Sequence, residues 1–377
     1  MPEPVTRSAP GKLLVVGEYA VLEPGRPAIV VAVDRYVTVT ASAAVEGHGD
    51  AEVVVDSDLL DHEVAFRRDR GRLRPLDPAD AGHPRGALAH LVSAVEVVDR
   101  LRTEQGLPLM PLRLTVRSGL HQRGVKTGLG SSGAVTVAAV EAVTDHYGMR
   151  LPREDRFRIA LLAGVRIDAG PSGADLAAST WHGWIAYRAP DRDALRRGLR
   201  HRGVAKTLAA PWPDLSVRPL PPPGGLHLQV GWSGSPASTS ALVADLTASD
   251  WWRGPARAGF VRDSERCVTA AVTALEQADP DGLLDAVRTA RRLLARMDAD
   301  VSLGLFTERL TRLCDAAESC GGAAKPSGAG GGDCGIALLP ADRPPSALRA
   351  RWAGDGITPL ELGVTDPPSH SPRGRPR

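Results

Sequence analysis

Apolar positions along this chain switch between two periods, and the switches mark its elements. Near the N-terminus, residues 13–16, 28–33 and 37–41 are short β-branched runs bounded by Gly, Pro and Asp, which predicts strands. Leu88, Leu91, Val92, Val95, Val98 and Leu101 then recur at helical spacing, which predicts a helix within residues 86–105. Residues 112–116 alternate as a strand does. A glycine-rich loop follows, and a helix over 133–147 is expected to open straight from it, with another over 153–165.

The second half begins after a Pro-rich stretch, 211–225, which contains Pro-Trp-Pro and Leu-Pro-Pro-Pro-Gly-Gly and reads as a domain boundary or long surface loop. Residues 226–230 resume strand character. Ser235-Pro236 has the form of an N-cap with Pro at the first helical position, leading into a helix over 237–246. Asp279-Pro280 repeats that signature before a helix over 281–297. Residues 305–319 read as a third helix and 334–339 as a strand. The end of the chain, 366–377, is Pro, Ser and Arg without an apolar anchor, and a disordered tail is expected there. There is no internal repeat. Strands followed by helices in each half predict an α+β protein of two domains, 1–210 and 226–365.

Composition narrows the class. A chain of 377 residues with 43% apolar positions is an ordinary globular protein, long enough for two cores. A net charge of +2 argues against a nucleic-acid partner, which needs a concentrated basic face. Cys267, Cys314, Cys320 and Cys334 form no CxxC pair and lie near no paired His, so buried free thiols are expected. No signal peptide is apparent, and no run approaches the roughly 18 apolar residues of a membrane span. The expectation is a cytoplasmic protein without a membrane partner.

The distribution of lysine points to chemistry. Lys and Arg together number 46, yet the lysines are Lys12, Lys126, Lys206 and Lys325 alone. Three of these four sit in glycine-rich segments: Pro10-Gly11-Lys12, Lys126-Thr127-Gly128-Leu129-Gly130-Ser131-Ser132-Gly133, and the run from Lys325 to Asp333. A compact ammonium meets one oxygen where the wide guanidinium fork does not, so such lysines are held either by chemistry or by a bias that favours Arg elsewhere.

The central loop, Gly128 to Gly133, lets backbone close around a bulky anion at the start of a helix, whose free N–H groups and dipole favour negative charge. It is neither GxxxxGK[ST] nor a dinucleotide fingerprint, and a tight turn capped by Ser is the plain alternative. Asp175 follows a Gly-Pro-Ser-Gly turn, where it could hold a cation, accept a proton or simply cap a helix. Gly231 to Ser240 crowds hydroxyls at a helix start, either to bind an anion or as a heavily furnished N-cap. The glycines from Gly328 to Gly332 form either a linker or a loop that something approaches closely. Trp251-Trp252 reads as packing.

Taken together these segments resemble the GHMP kinase superfamily, whose Pro-Gly-Lys, Gly-Leu-Gly-Ser-Ser and C-terminal glycine motifs occur here in that order over nearly the whole chain. Within it the chain is similar to the phosphomevalonate kinases, through Lys12 with Val16-Gly17-Glu18-Tyr19, Lys126 directly before the central loop, and Pro236-Ala237-Ser238-Thr239. The resemblance implies a two-domain GHMP kinase fold with the active site between the domains. It implies ATP and Mg2+ as cofactors and 5-phosphomevalonate as substrate, in the mevalonate route to isoprenoids. It also implies Lys12, Lys126 and Asp175 as catalytic residues, and Gly128, Leu129, Gly130, Ser131, Ser132 and Gly133 as the ATP phosphate site. Lys12, Ser172, Ser235, Ser238 and Thr239 are implied as substrate contacts, and Ser132 and Asp175 as metal ligands. Mevalonate kinase, diphosphomevalonate decarboxylase and a non-catalytic ligand sensor on the same scaffold are the alternatives. Mevalonate kinases place a metal-binding Glu about 11 residues before the catalytic Asp; Ala163, Gly164 and Val165 offer no carboxylate there, which weakens that alternative.

Overall fold

A computed structural model describes residues 3–43, 50–86, 88–122 and 125–366. The first sheet gathers β1 (Val5–Val16), β2 (Pro27–Ser42), β3 (Val53–Ser57), β4 (Val64–Asp69), β5 (Arg72–Pro75) and β6 (Leu112–Ser118), and closes with β9 (Trp184–Arg188) and β10 (Ser216–Leu220). A two-stranded ribbon, β7 (His121–Gln122) and β8 (Val125–Lys126), carries the chain into the central glycine loop. The second sheet is antiparallel, in the order β12 (Ala323–Pro326), β13 (Cys334–Pro340), β11 (Leu226–Trp232), β14 (Thr358–Leu360).

Helices α1 (Ala89–Glu104), α2 (Ser131–His146), α3 (Arg153–Ile167), α4 (Ala174–Trp181) and α5 (Arg192–Ala209) belong to the first half. The second half holds α6 (Thr239–Ala248), α7 (Asp250–Arg253), α8 (Pro255–Glu276), α9 (Pro280–Val301), α10 (Glu308–Ser319) and α11 (Pro345–Gly354). No helix among the described residues is long and apolar enough to cross a membrane.

β2 pairs antiparallel with β1 along most of its length, and on its other edge with β9 and then β6. It passes unbroken through Asp34-Arg35-Tyr36, where the polar residues separate the two strands expected from the sequence. The ladder with β1 shifts register here, β9 pairs before these residues and β6 after them, and Asp34 N donates to Gly363 O at 3.0 Å while Tyr36 O accepts from Gly119 N at 2.8 Å, so the strand stays extended across its polar residues.

The Pro-rich stretch 211–225 is not a bare linker. It contains β10, which pairs with β9 at the edge of the first sheet. Pro219 is tolerated there because an edge strand has amide groups the ladder does not need. The first sheet therefore extends to Leu220, beyond the expected boundary at residue 210. Residues 367–377 of the expected tail lie outside the described residues. Just before them, Thr365 donates its N–H to Ala32 O at 3.1 Å, fastening the chain to β2.

β13 shows why the second half holds together. Ile336 and Leu338 face a core shared with α8, α9 and the first sheet, while Ala337 and Leu339 face a smaller core with Leu310, Leu313 and Trp352 of α10 and α11. Alternation with both faces covered leaves a strand apolar throughout. The Asp279-Pro280 signature is borne out: Asp279 accepts from Gly282 N at 3.0 Å, and Leu283, Val287, Ala290, Leu294 and Met297 line one buried face of α9. Trp251 stacks edge-on with Phe260 at 5.7 Å between centroids, which bears out packing for the tryptophan pair. The four cysteines are free, and three of them are buried.

The halves are joined through polar contacts as well. Lys325 on β12, with none of its side chain exposed, pairs with Glu18 and donates to Pro326 O at 2.7 Å. Ser327 Oγ accepts from Leu14 N at 2.9 Å, and Tyr19 donates to Ala329 O at 2.5 Å. Burial raises the Glu18 pKa, and the Lys325 ammonium opposes that shift. Lys325 is thus kept as a lysine by a buried pair rather than by a ligand. Lys325→Met, which strands a carboxyl group in the core, is expected to lose about 3–5 kcal/mol of stability. Adding Glu18→Leu should restore most of it. Chemical denaturation of both variants checks this, and a single variant as stable as the parent would contradict it.

Candidate active site

Two helix N-termini meet at one point. α2 starts after Gly130, which is left-handed with φ 79° and supplies no side-chain cap. Its first N–H groups therefore have no side-chain cap and are available to an anion. α4 starts after Gly173, also left-handed with φ 80° and also without a side-chain cap. Asp175, in the first turn of α4, is not the capping residue. Its carboxylate points across at α2 instead: a Cβ on Gly133 would stand 2.6 Å from Asp175 Oδ2. Only glycine admits the carboxylate this close to the start of α2. Ser132 precedes Gly133 in that same first turn. Hard oxygen donors of the kind that Asp175 and Ser132 offer are the type that suits Mg2+.

Lys12 crosses the site from β1. A bulge between Pro10 and Gly11 re-aims it. Its N–H donates to Leu129 O at 2.8 Å, and its side chain runs over Gly130, where a Cβ would lie 2.9 Å from Lys12 Cγ. The ammonium ends 3.8 Å from the Cβ position of Gly328 in the C-terminal glycine loop. One lysine thus spans all three glycine motifs. Lys126 is exposed on β8 at the entrance of the central loop.

The C-terminal glycine loop is wedged rather than free. A Cβ on Gly332 would meet Ser235 O at 2.6 Å, and one on Gly330 would meet Leu305 O at 2.9 Å. This decides between linker and tightly approached loop in favour of the loop. Asp333 closes it and ties three segments together. Ser233 N donates to Asp333 O at 2.9 Å, Asp333 N donates to Ser235 O at 2.8 Å, and Ala237 N donates to Asp333 Oδ1 at 3.0 Å. Its side chain also covers Gly128. Burial pushes the Asp333 carboxyl pKa up, and the Ala237 N–H, Lys12 and Lys126 hold it down. Sequence reading gave Asp333 no role, because its partners are local to it only in space.

His90 was likewise missed. It stands in the first turn of α1, its Nδ1 3.5 Å from Thr136 Oγ1 on α2. Burial lowers its pKa, Asp175 opposes the shift and Lys126 adds to it.

The hydroxyl-rich segment differs from expectation in its cap. Ser238, not Ser235, caps α6, accepting from Ala241 N at 3.3 Å, and the helix begins at Thr239. Pro236 is left in the loop because Asp333 already binds the N–H of Ala237. Ser235, Ser238 and Thr239 are exposed. Ser235 borders a cleft of about 270 Å³ with Ser233, Thr307, Glu308 and Arg309. A larger groove of about 710 Å³ runs along α8 from Arg262 to Gln277 and touches none of the glycine motifs. Ser172 accepts from Ala174 N at 3.3 Å and so helps to shape the start of α4.

A lysine spanning the central and C-terminal glycine loops, beside a helix start without a side-chain cap and a nearby carboxylate, is an arrangement able to hold and neutralise phosphate groups. Residues 90–183 match the GHMP kinases N terminal domain, and residues 271–356 match the GHMP kinases C terminal domain. The chain belongs to the GHMP kinase family. More particularly, it is 54% identical over 360 residues to the phosphomevalonate kinase of Streptomyces sp. strain CL190, a match covering 95% of this chain and 96% of that one. Identity to the mevalonate kinase of Aeropyrum pernix is 27% over 334 residues, covering 88% and 87%. Among solved structures, Streptococcus pneumoniae phosphomevalonate kinase in complex with phosphomevalonate and AMPPNP superposes with a TM-score of 0.81 at 26% identity, covering 96% of this chain and 100% of that one.

Proposed function

We infer that the chain transfers the γ-phosphoryl group of ATP to the phosphate of 5-phosphomevalonate, giving 5-diphosphomevalonate and ADP, a step of the mevalonate route to isoprenoids. The observation that carries this is 54% identity to a phosphomevalonate kinase along almost the entire chain. The site chemistry is consistent with it. The first turn of α2, with Ser131 and Ser132, would receive the ATP phosphates. Mg2+, held by Ser132 and Asp175, would neutralise charge on them. An acceptor phosphate oxygen forms the new bond to the γ-phosphorus while the bond to the bridging oxygen of ADP breaks. Positioning and charge neutralisation do most of the work in such transfers. A phosphate monoester has its second pKa near ~6, so it arrives mostly deprotonated and needs little base help. Asp175 then chiefly holds the metal and orients, while Lys12 and Lys126 neutralise the transferring group and the acceptor phosphate. The active site would lie between an N-terminal unit that includes β10 and a C-terminal unit that starts at β11. Incubation with ATP and 5-phosphomevalonate, followed by phosphorus NMR, tests the reading: a diphosphate must appear with ADP, and free phosphate with carbon dioxide would instead indicate a decarboxylase.

Lysine identity gives a second test. Lys12→Arg and Lys126→Arg are each expected to lower kcat/KM at least ~10-fold, about 1.4 kcal/mol. Lys206→Arg, on the exposed side of α5, should be near neutral. Steady-state kinetics of the three variants decide, and equal tolerance would remove the point-contact role.

Asp333 is assigned the positioning of the 233–240 segment. Asp333→Ala removes the acceptor for Ala237 N–H, a bond to a charged group worth roughly 1.5–3 kcal/mol. The KM for the phosphorylated acceptor should rise about 10-fold, within that same range, and more than the KM for ATP. A rise confined to ATP would place the segment on the nucleotide side.

A further inference from the structure

His62, Asp80 and His83 lie together outside the glycine loops. His62 sits in the turn between β3 and β4, and the other two sit on the 3₁₀ helix Pro78–Arg85. Three residues per turn make positions i and i+3 of such a helix eclipse, so Asp80 and His83 face the same side. Both imidazoles aim the same nitrogen at the same carboxylate oxygen. His62 Nε2 is 2.8 Å from Asp80 Oδ1, and His83 Nε2 is 3.4 Å from it. One ligand atom from each of the three lies within 4.8 Å of the other two.

Hydrogen bonding accounts for only part of this arrangement. The His62 contact is a normal hydrogen bond, but 3.4 Å is too long for one. That spacing matches two ligands of one ion, since with metal–ligand distances of about 2.0–2.1 Å tetrahedral ligand atoms stand roughly 3.4 Å apart, and the exposed His62 would draw back from its 2.8 Å contact to make room for the ion. The Asp80 side chain is 6% exposed and that of His62 is 59% exposed, so a carboxylate fixed in the fold meets an imidazole open to solvent. That gives a rigid floor and an entry path. Neighbouring Asp61 and Asp77 add negative charge on either side in sequence.

We propose that His62, Asp80 and His83 form a binding site for a divalent transition-metal ion, Zn2+ by its donor set, which ties the β3–β4 turn to the 3₁₀ helix ahead of α1. Two imidazole nitrogens and one carboxylate oxygen suit zinc and its neighbours, whereas Mg2+ prefers oxygen ligands alone. Three protein ligands leave a fourth position for water. The site is separate from the Mg2+ assigned to phosphoryl transfer.

The test uses the full chain, stripped of metal with chelator and titrated with Zn2+ in millimolar Mg2+. Calorimetry gives the affinity, and Co2+ substitution gives a visible ligand-field band. The parent should bind one equivalent through these residues. His62→Gln and His83→Gln should each weaken binding at least ~10-fold, and the double variant should abolish both that equivalent and the Co2+ band. Zn2+ near saturation should raise the parent Tm by about 3 °C and leave the double variant unmoved. Both replaced side chains are at least partly exposed, and kinase turnover with Mg2+ reports that the double variant is folded. No Zn2+ uptake by the parent, or uptake equal in the double variant, would overturn the proposal and leave a hydrogen-bonded His–Asp–His cluster.

Discussion

Mevalonate is expected to react at least about 1,000-fold less efficiently than 5-phosphomevalonate, a difference of about 4 kcal/mol. The reason lies in the donors left unpaired. Ser235, Ser238 and Thr239 are exposed at the start of α6, where N–H groups and the helix dipole favour an anion. 5-Phosphomevalonate brings a carboxylate and a phosphate, and mevalonate brings only the carboxylate. Charge-assisted bonds are roughly twice as strong as neutral ones, and a site built to make them rejects a ligand that lacks the group. Mevalonate also offers a hydroxyl, which needs its proton removed during attack. Parallel measurement of ADP release with the two acceptors gives the ratio directly. Comparable efficiencies would refute the acceptor assignment. Ser238→Ala and Thr239→Val should raise the acceptor KM more than the ATP KM. Because Ser238 caps α6, its removal should also cost about 1 kcal/mol of stability. A Tm measurement separates that loss from the binding effect.

Asp175→Asn is expected to lower kcat at least ~100-fold while leaving Tm nearly unchanged. Stability should survive because Asp175 does not cap α4, and Asn fills the same space against Gly133. Turnover should fall because, in the proposed role, Asp175 supplies the charge that holds the metal at the start of α2. If that role is mainly electrostatic, high Mg2+ should recover part of the activity. The competing role is that of general base. In that case the parent's pH–rate profile has an acid limb that the variant lacks, and Mg2+ has no effect. Profiles of both proteins at two Mg2+ concentrations distinguish the two roles.

Motifs with a short local cause were legible in the sequence. Gly128 to Gly133 announced a glycine loop opening into α2, Asp279-Pro280 announced α9, and glycine loops with their lysines were ordered as GHMP kinases order them. Each depends on backbone freedom or capping within a few residues. Other features were hidden because their partners are far away in sequence. Asp333 acts through Ala237, 96 residues earlier, and Lys325 through Glu18, 307 residues earlier. Lys325 therefore looked like Lys12 and Lys126 in sequence, yet its ammonium is spent on a core carboxyl group. His90 sat inside a correctly expected helix, but helical periodicity says nothing of which polar residue faces a neighbouring helix N-terminus.

Three local signals were overruled by tertiary contacts. Ser235-Pro236 has the grammar of a helix start, but the Asp333 carboxylate takes the Ala237 N–H and moves the cap to Ser238. Asp34-Arg35-Tyr36 and the Pro-rich stretch both read as breaks, yet β2 runs on through the first because both its flanks are paired, and pairing with β9 draws β10 through the second. The sequence alone thus determined the fold family, the order of the motifs and the chemistry they could support, because those rest on local backbone requirements. Tertiary structure alone decided which lysine is held in a buried pair, which acid tethers the 233–240 segment and where the strands run on. Those outcomes depend on competition for the same N–H groups, ammonium ions and sheet edges between residues that meet only when the chain is folded.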